Sequence, residues 1–110
     1  MAQRRELPYP PFAHLANLIA SDEEEAAAAG SARRAAQAVI AAAGGEAGRT
    51  EVVGPAPCPL ARLRGRWRHH FLVRDASRAR LTAVLTEALG RLTPEDRSRL
   101  TVDVDAVTLL

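Results

Sequence analysis

From Arg66 to Arg74 the chain alternates, with Trp67, His69, Phe71 and Val73 on one side of an extended backbone and Arg68, His70, Leu72 and Arg74 on the other. This is the clearest strand signal in the sequence. Behind Ser77, Leu81, Val84, Leu85, Ala88, Leu89 and Leu92 recur at helical spacing, which predicts an amphipathic helix with Ser77 as its N-cap. Phe12 to Ala20 is a short run bounded by prolines and Ser21, and it predicts a first strand. The preceding residues 1–11 end in PYPP and predict an extended lead-in, because proline fixes φ and removes a donor.

Between those segments, Ser21 or Asp22 is expected to cap a helix reaching about Ala43, with Glu23, Glu24 and Glu25 near the positive end of its dipole. Its large apolar residues are Val39 and Ile40, alanines fill the rest, and Gly44-Gly45 ends it. Gly30 inside it costs roughly 1 kcal/mol relative to alanine and is its weak point. Thr50 to Val53 predicts a short edge strand closed by Gly54 and Pro55, with Pro57 and Pro59 barring regular pairing beyond it. Thr93-Pro94 opens a polar connection through Arg99. Leu100 to Asp105 then alternates as a last strand, Val102 and Val104 against Thr101, Asp103 and Asp105.

The predicted order is β-α-β-β-α-β. At this length that is a ferredoxin-like α+β arrangement, a four-stranded antiparallel sheet with two helices on one face. The first and third strands should be central, and residues 12–110 should form a single domain after the lead-in. The other sheet face should be open unless another domain covers it.

A chain of 110 residues buries enough surface to fold without staples. The lone Cys58 rules out a disulfide framework within the chain and a cysteine-rich zinc site, and makes a reducing, cytoplasmic setting the expectation. The amino-terminal residues lack the apolar core of a signal peptide, and no run approaches the roughly 18 apolar residues of a membrane span. All fifteen basic side chains are arginine, so a phosphate loop that needs lysine is absent.

A net charge of +2 argues only weakly for nucleic acid, whereas its distribution argues better. Acids mass at Asp22 to Glu25 and arginines from Arg62 to Arg80, and Asp75 is the sole acid between Glu51 and Glu87. Arg62, Arg64, Arg66 and Arg68 would project toward one side if their backbone is extended, and could there track DNA phosphates through bidentate contacts. Trp67 between them suits base stacking, but its parity with Phe71 and Val73 also fits half-buried packing. Adjacent His69 and His70 point to opposite strand faces and cannot readily share a metal ion. No metal ligand set emerges, because His14 is the only other histidine. Asp103 and Asp105, about 7 Å apart along one strand face, lack a nucleophile or partner acid and read as a solvated face. Cys58 reads as an ordinary thiol. A stand-alone enzyme such as an acylphosphatase would need a phosphate-cradling glycine-rich loop and an asparagine partner. The segment after the first strand is instead SDEEE.

Four segments in order, RRELPYPPFAHLANL, GPAPCPLARLRGRWRHHFLVR, SRARL and VDVDAVTLL, together resemble the C-terminal domain of PriA, the bacterial replication-restart helicase also called primosomal protein N-prime. The resemblance spans nearly the whole chain. It implies a ferredoxin-like, non-catalytic module that follows a helicase core, so that zinc and ATP would belong to upstream domains whose motifs this chain lacks. It further implies help in binding branched or single-stranded DNA at stalled forks, in the cytoplasm with the nucleoid. The alternative it carries is docking of the acidic tail of single-stranded-DNA-binding protein, or of the helicase core. The family's tail-contacting arginine corresponds to Arg78 of SRARL, with Thr82 one turn later where the family can have glutamine. Ala106 departs from the family's usual proline and puts only the turn there in question.

Overall fold

The computed structural model describes residues 14–44 and 50–104. The elements run β1 (His14–Asp22), α1 (Glu25–Ala43), β2 (Thr50–Leu63), β3 (Arg66–Asp75), α2 (Arg78–Gly90), α3 (Pro94–Arg99) and β4 (Leu100–Val104). The strands form one antiparallel sheet in the order β2-β3-β1-β4, so the first and third strands are central, as expected of a ferredoxin-like α+β chain. The expected lead-in over residues 1–11, the start of the first strand at Phe12, Gly45, Asp105 and Ala106 lie outside the described residues.

Period-two alternation decides which side of the sheet is covered. Ala16, Leu18 and Ala20 of β1 and Phe71 and Val73 of β3 are buried, and they meet Ala35, Ala36 and Val39 of α1 and Leu81, Val84, Leu85 and Ala88 of α2. The alanine-rich face of α1 lets that helix lie close, and Phe71, Leu18, Leu81 and Val39 are the largest fully buried side chains of the core. The alternate residues Leu15, Asn17, Ile19, His70 and Leu72 are only half-buried. No described element packs on that face.

Three local expectations change. The first helix begins at Glu25 with Glu24 as N-cap, because Ser21 and Asp22 continue β1. Asp22 instead accepts the Glu24 N–H at 2.9 Å through Oδ2. Gly44 ends the helix at φ 61°, a conformation that glycine adopts without penalty, and Gly30 leaves it uninterrupted.

β2 runs past Val53 to Leu63. It is an edge strand, and its register slips between Val53 and Ala56 and again between Pro57 and Arg62, so the prolines coincide with irregular pairing rather than with the strand's end. The second slip loops out residues 58–61 opposite Arg68 alone and tucks the Cys58 thiol inside.

The connection through Arg99 contains a helix, so among the described residues three helices rather than two accompany the sheet. Thr93 caps α3 by accepting the Asp96 N–H at 3.1 Å, Pro94 starts it, and acids precede basic residues along it. Asp96 is 3 % exposed. It accepts from Ser31 Oγ at 2.7 Å and from Arg34 Nε and Nη2 at 2.8 Å each, fastening α3 to α1. Arg99 continues the network to Asp22 at 3.0 Å and to Ser31 Oγ at 3.2 Å.

Candidate nucleic-acid interface

The hairpin joining β2 to β3 closes through Arg64 and Gly65, with Leu63 paired to Arg66. Both turn residues have positive φ, 55° and 79°, as a two-residue type I′ hairpin requires. This turn overturns the expectation that the four arginines share a side, since the backbone reverses at Arg64 instead of staying extended. Arg62 is the register partner of Trp67 and lies on the helix side, Arg66 and Arg68 share the open side with His70, and Arg64 occupies the tip.

Trp67 is half-buried, and the Arg62 guanidinium carbon lies 5.2 Å from its ring centroid, a cation–π distance. The ring is outside the core cluster that holds Phe71 and Val73, because it pairs with Asp22 at the end of β1. Arg66 donates to Ser21 Oγ at 2.9 Å and to the Ser21 carbonyl at 3.0 Å, and Arg68 reaches the Leu60 carbonyl at 3.4 Å.

Five arginines elsewhere differ in one respect. Arg34 pairs with Asp96, Arg74 with Glu51, Arg80 with Asp75, Arg91 with Glu87 and Arg99 with Asp22. Among the described residues, none of Arg62, Arg64, Arg66 and Arg68 forms an ion pair. The hairpin end therefore carries four guanidinium groups outside any close ion pair, with Arg66 near enough to Asp22 to help lower its pKa, next to exposed Leu60 and Leu63.

Three of the paired carboxylates, Asp96, Asp75 and Asp22, titrate low. The Arg34 guanidinium, with help from Ser31, holds Asp96 at about 2 despite its burial. Burial alone would raise Asp75, but bonds from Thr50 Oγ1 at 2.6 Å, from Arg80 at 2.9 and 3.0 Å and from the Ser77 N–H at 2.8 Å together bring it below the ordinary range. The Glu24 N–H and then Arg99 lower Asp22.

At the second candidate site, Ser77 caps α2 by accepting the Arg80 N–H at 3.1 Å, and Arg78 and Thr82 are exposed one turn apart. Two residues after Arg78, Arg80 pairs with Asp75. His69 and His70 do separate. His69 is buried on the helix side with Nε2 3.4 Å from Glu25, and His70 lies on the open face with Nδ1 3.4 Å from Asn17 Oδ1. Asp103 is on the open face opposite Asn17. The His70–Asn17 pair escaped the sequence reading because it depends on the register between β1 and β3. Their alternation alone had placed each residue on a face.

Fold and site together define an α+β module of ferredoxin-like topology that presents a basic hairpin beside a sheet face on which no described element packs. Its sequence matches the primosomal protein N C-terminal domain over residues 5–107, and the chain belongs to that family. Membership implies a role in the primosome and in replication restart, with DNA and primosome proteins as the class of partner. No curated protein matches the chain. No helix among the described residues is long and apolar enough to cross a membrane.

Proposed function

We propose that this chain is a non-catalytic module of a replication-restart DNA helicase. It helps to hold branched or single-stranded DNA through the end of the β2–β3 hairpin, in the cytoplasm with the nucleoid. The observation that carries this reading is that Arg62, Arg64, Arg66 and Arg68 gather at one hairpin end outside any close ion pair, while five arginines elsewhere are ion-paired. Guanidinium groups held this way suit phosphate oxygens, and Trp67 adds a ring on which a base can stack. The test is DNA binding by the Arg66→Ala/Arg68→Ala variant, which should weaken single-stranded and forked DNA alike and flatten the salt dependence. Unchanged affinity and an unchanged salt slope would refute it.

A second reading concerns the start of α2. Arg78 at the first helical position and Thr82 one turn on are both exposed, and a peptide carboxylate would there meet a guanidinium and the positive end of the helix. The acidic tail of single-stranded-DNA-binding protein has that chemistry, and the upstream helicase core is the other partner this surface would serve. Arg78→Ala should weaken an acidic peptide while leaving DNA affinity intact.

A further inference from the structure

The open sheet face carries a feature that the hairpin arginines do not account for. His70 and Asn17 sit on the two central strands, β3 and β1, with His70 Nδ1 3.4 Å from Asn17 Oδ1. Among the described residues neither side chain makes another hydrogen bond. Ile19, the register partner of His70, and Leu72, the register partner of Asn17, are half-buried on the same face. Ile19 and Leu72 therefore flank one imidazole and one amide, with Asp103 beside the amide, and both polar groups have hydrogen-bonding capacity left over.

Charge along this face is graded. Toward one end Arg74 is neutralised by Glu51, and Asp103 stands opposite Asn17. Toward the hairpin Arg68 and Arg66 form no close ion pair, and Ser21 lies opposite Arg68. The helix side of the same hairpin is less hospitable to an anion, because Asp22 is the register partner of Trp67 and Glu25 lies 3.4 Å from His69. A polyanion held at the hairpin end can thus extend onto the open face past Arg66 and Arg68.

We propose that the open face between the hairpin and the His70–Asn17 pair is a platform for single-stranded nucleic acid. One base stacks on the His70 imidazole, the Asn17 amide meets its edge, and Arg66 and Arg68 hold the adjoining phosphates. An open four-stranded sheet suits splayed bases, whose faces and edges are available, and does not suit a duplex, whose bases are already stacked and paired. An acidic peptide would satisfy the arginines but offers no planar ring to His70. This inference rests on the hairpin reading above and adds to it the ligand form and two contact residues.

The test is a heteronuclear NMR titration of the 110-residue chain with a short single-stranded DNA, a blunt duplex and an acidic peptide, together with affinities of His70→Ala, His70→Phe and Asn17→Ala. Single-stranded DNA should shift the Asn17 side-chain amide and the Ile19, Arg68 and His70 signals. His70→Ala should weaken single-stranded DNA by about fivefold or more, the lower end of a lost base-stacking contact, whereas His70→Phe retains affinity and duplex affinity changes little. Equal losses on duplex, no loss in His70→Ala, or shifts of these signals by the peptide but not by DNA would overturn the platform. If the Arg66→Ala/Arg68→Ala variant loses DNA while His70→Ala does not, only the platform falls. If the double-arginine variant binds DNA as well as the parent, the hairpin reading falls with it.

Discussion

Replacing Asp96 by asparagine should be the most damaging single change to the network that docks α3 on α1. The carboxylate is 3 % exposed and takes four close contacts, from Ser31, twice from Arg34 and, at 3.6 Å, from Arg99. Its pKa of about 2, against an ordinary 3.8, corresponds to about 2 kcal/mol of folding stability at neutral pH. Removing one partner of a fully buried pair costs about 3–5 kcal/mol, but Arg34 is 52 % exposed and can rehydrate, so the lower figure applies.

The sign follows from the depressed pKa. The contribution is present above about pH 4 and is lost as pH falls through about 2. Urea unfolding monitored by circular dichroism should therefore show a midpoint about 1.5 M lower for Asp96→Asn at pH 7, and a gap that narrows toward pH 2.5. A loss under about 0.5 kcal/mol at pH 7, or a gap that stays constant with pH, would refute the reasoning.

Other substitutions test other parts of the account. Arg64 holds a left-handed conformation that asparagine tolerates better, so Arg64→Asn should raise or preserve the melting temperature while weakening DNA binding and reducing the salt slope by about one contact. Gly44→Ala meets no atom within 4 Å yet must adopt φ 61°, so it should cost about 1–2 kcal/mol in chemical denaturation. Arg78→Ala should weaken binding of an acidic tail peptide, measured by calorimetry, and leave DNA anisotropy unchanged.

Much of this architecture was legible because it rests on short-range patterns. The alternation through Arg66–Arg74 and the leucine stripe behind Ser77 each identify a buried face without reference to the rest of the chain, and together with the segment order they led to the topology. What escaped depends on partners distant in sequence. Asp96 reads as one more acid in a polar stretch, and only Ser31 and Arg34, more than sixty positions earlier, explain its burial. The Thr-Pro-Glu-Asp start of α3 was a helix signal in plain view, but six residues give no apolar stripe to support it. The prolines of β2 argued for a loop because propensity cannot show that β3 holds an irregular edge strand in place. At the hairpin, Arg64-Gly65 lacks the Asn-Gly or Asp-Gly signature of a two-residue turn, so the sidedness of the arginines had to come from register.

The most direct test of the central claim is fluorescence anisotropy of labelled single-stranded, duplex and forked DNA titrated with the protein over a series of salt concentrations. Four phosphate contacts predict binding to single-stranded and forked DNA with a log–log salt slope of about −3 on the single strand, and weaker binding to duplex. No binding at low salt, or a slope near zero, would contradict the account.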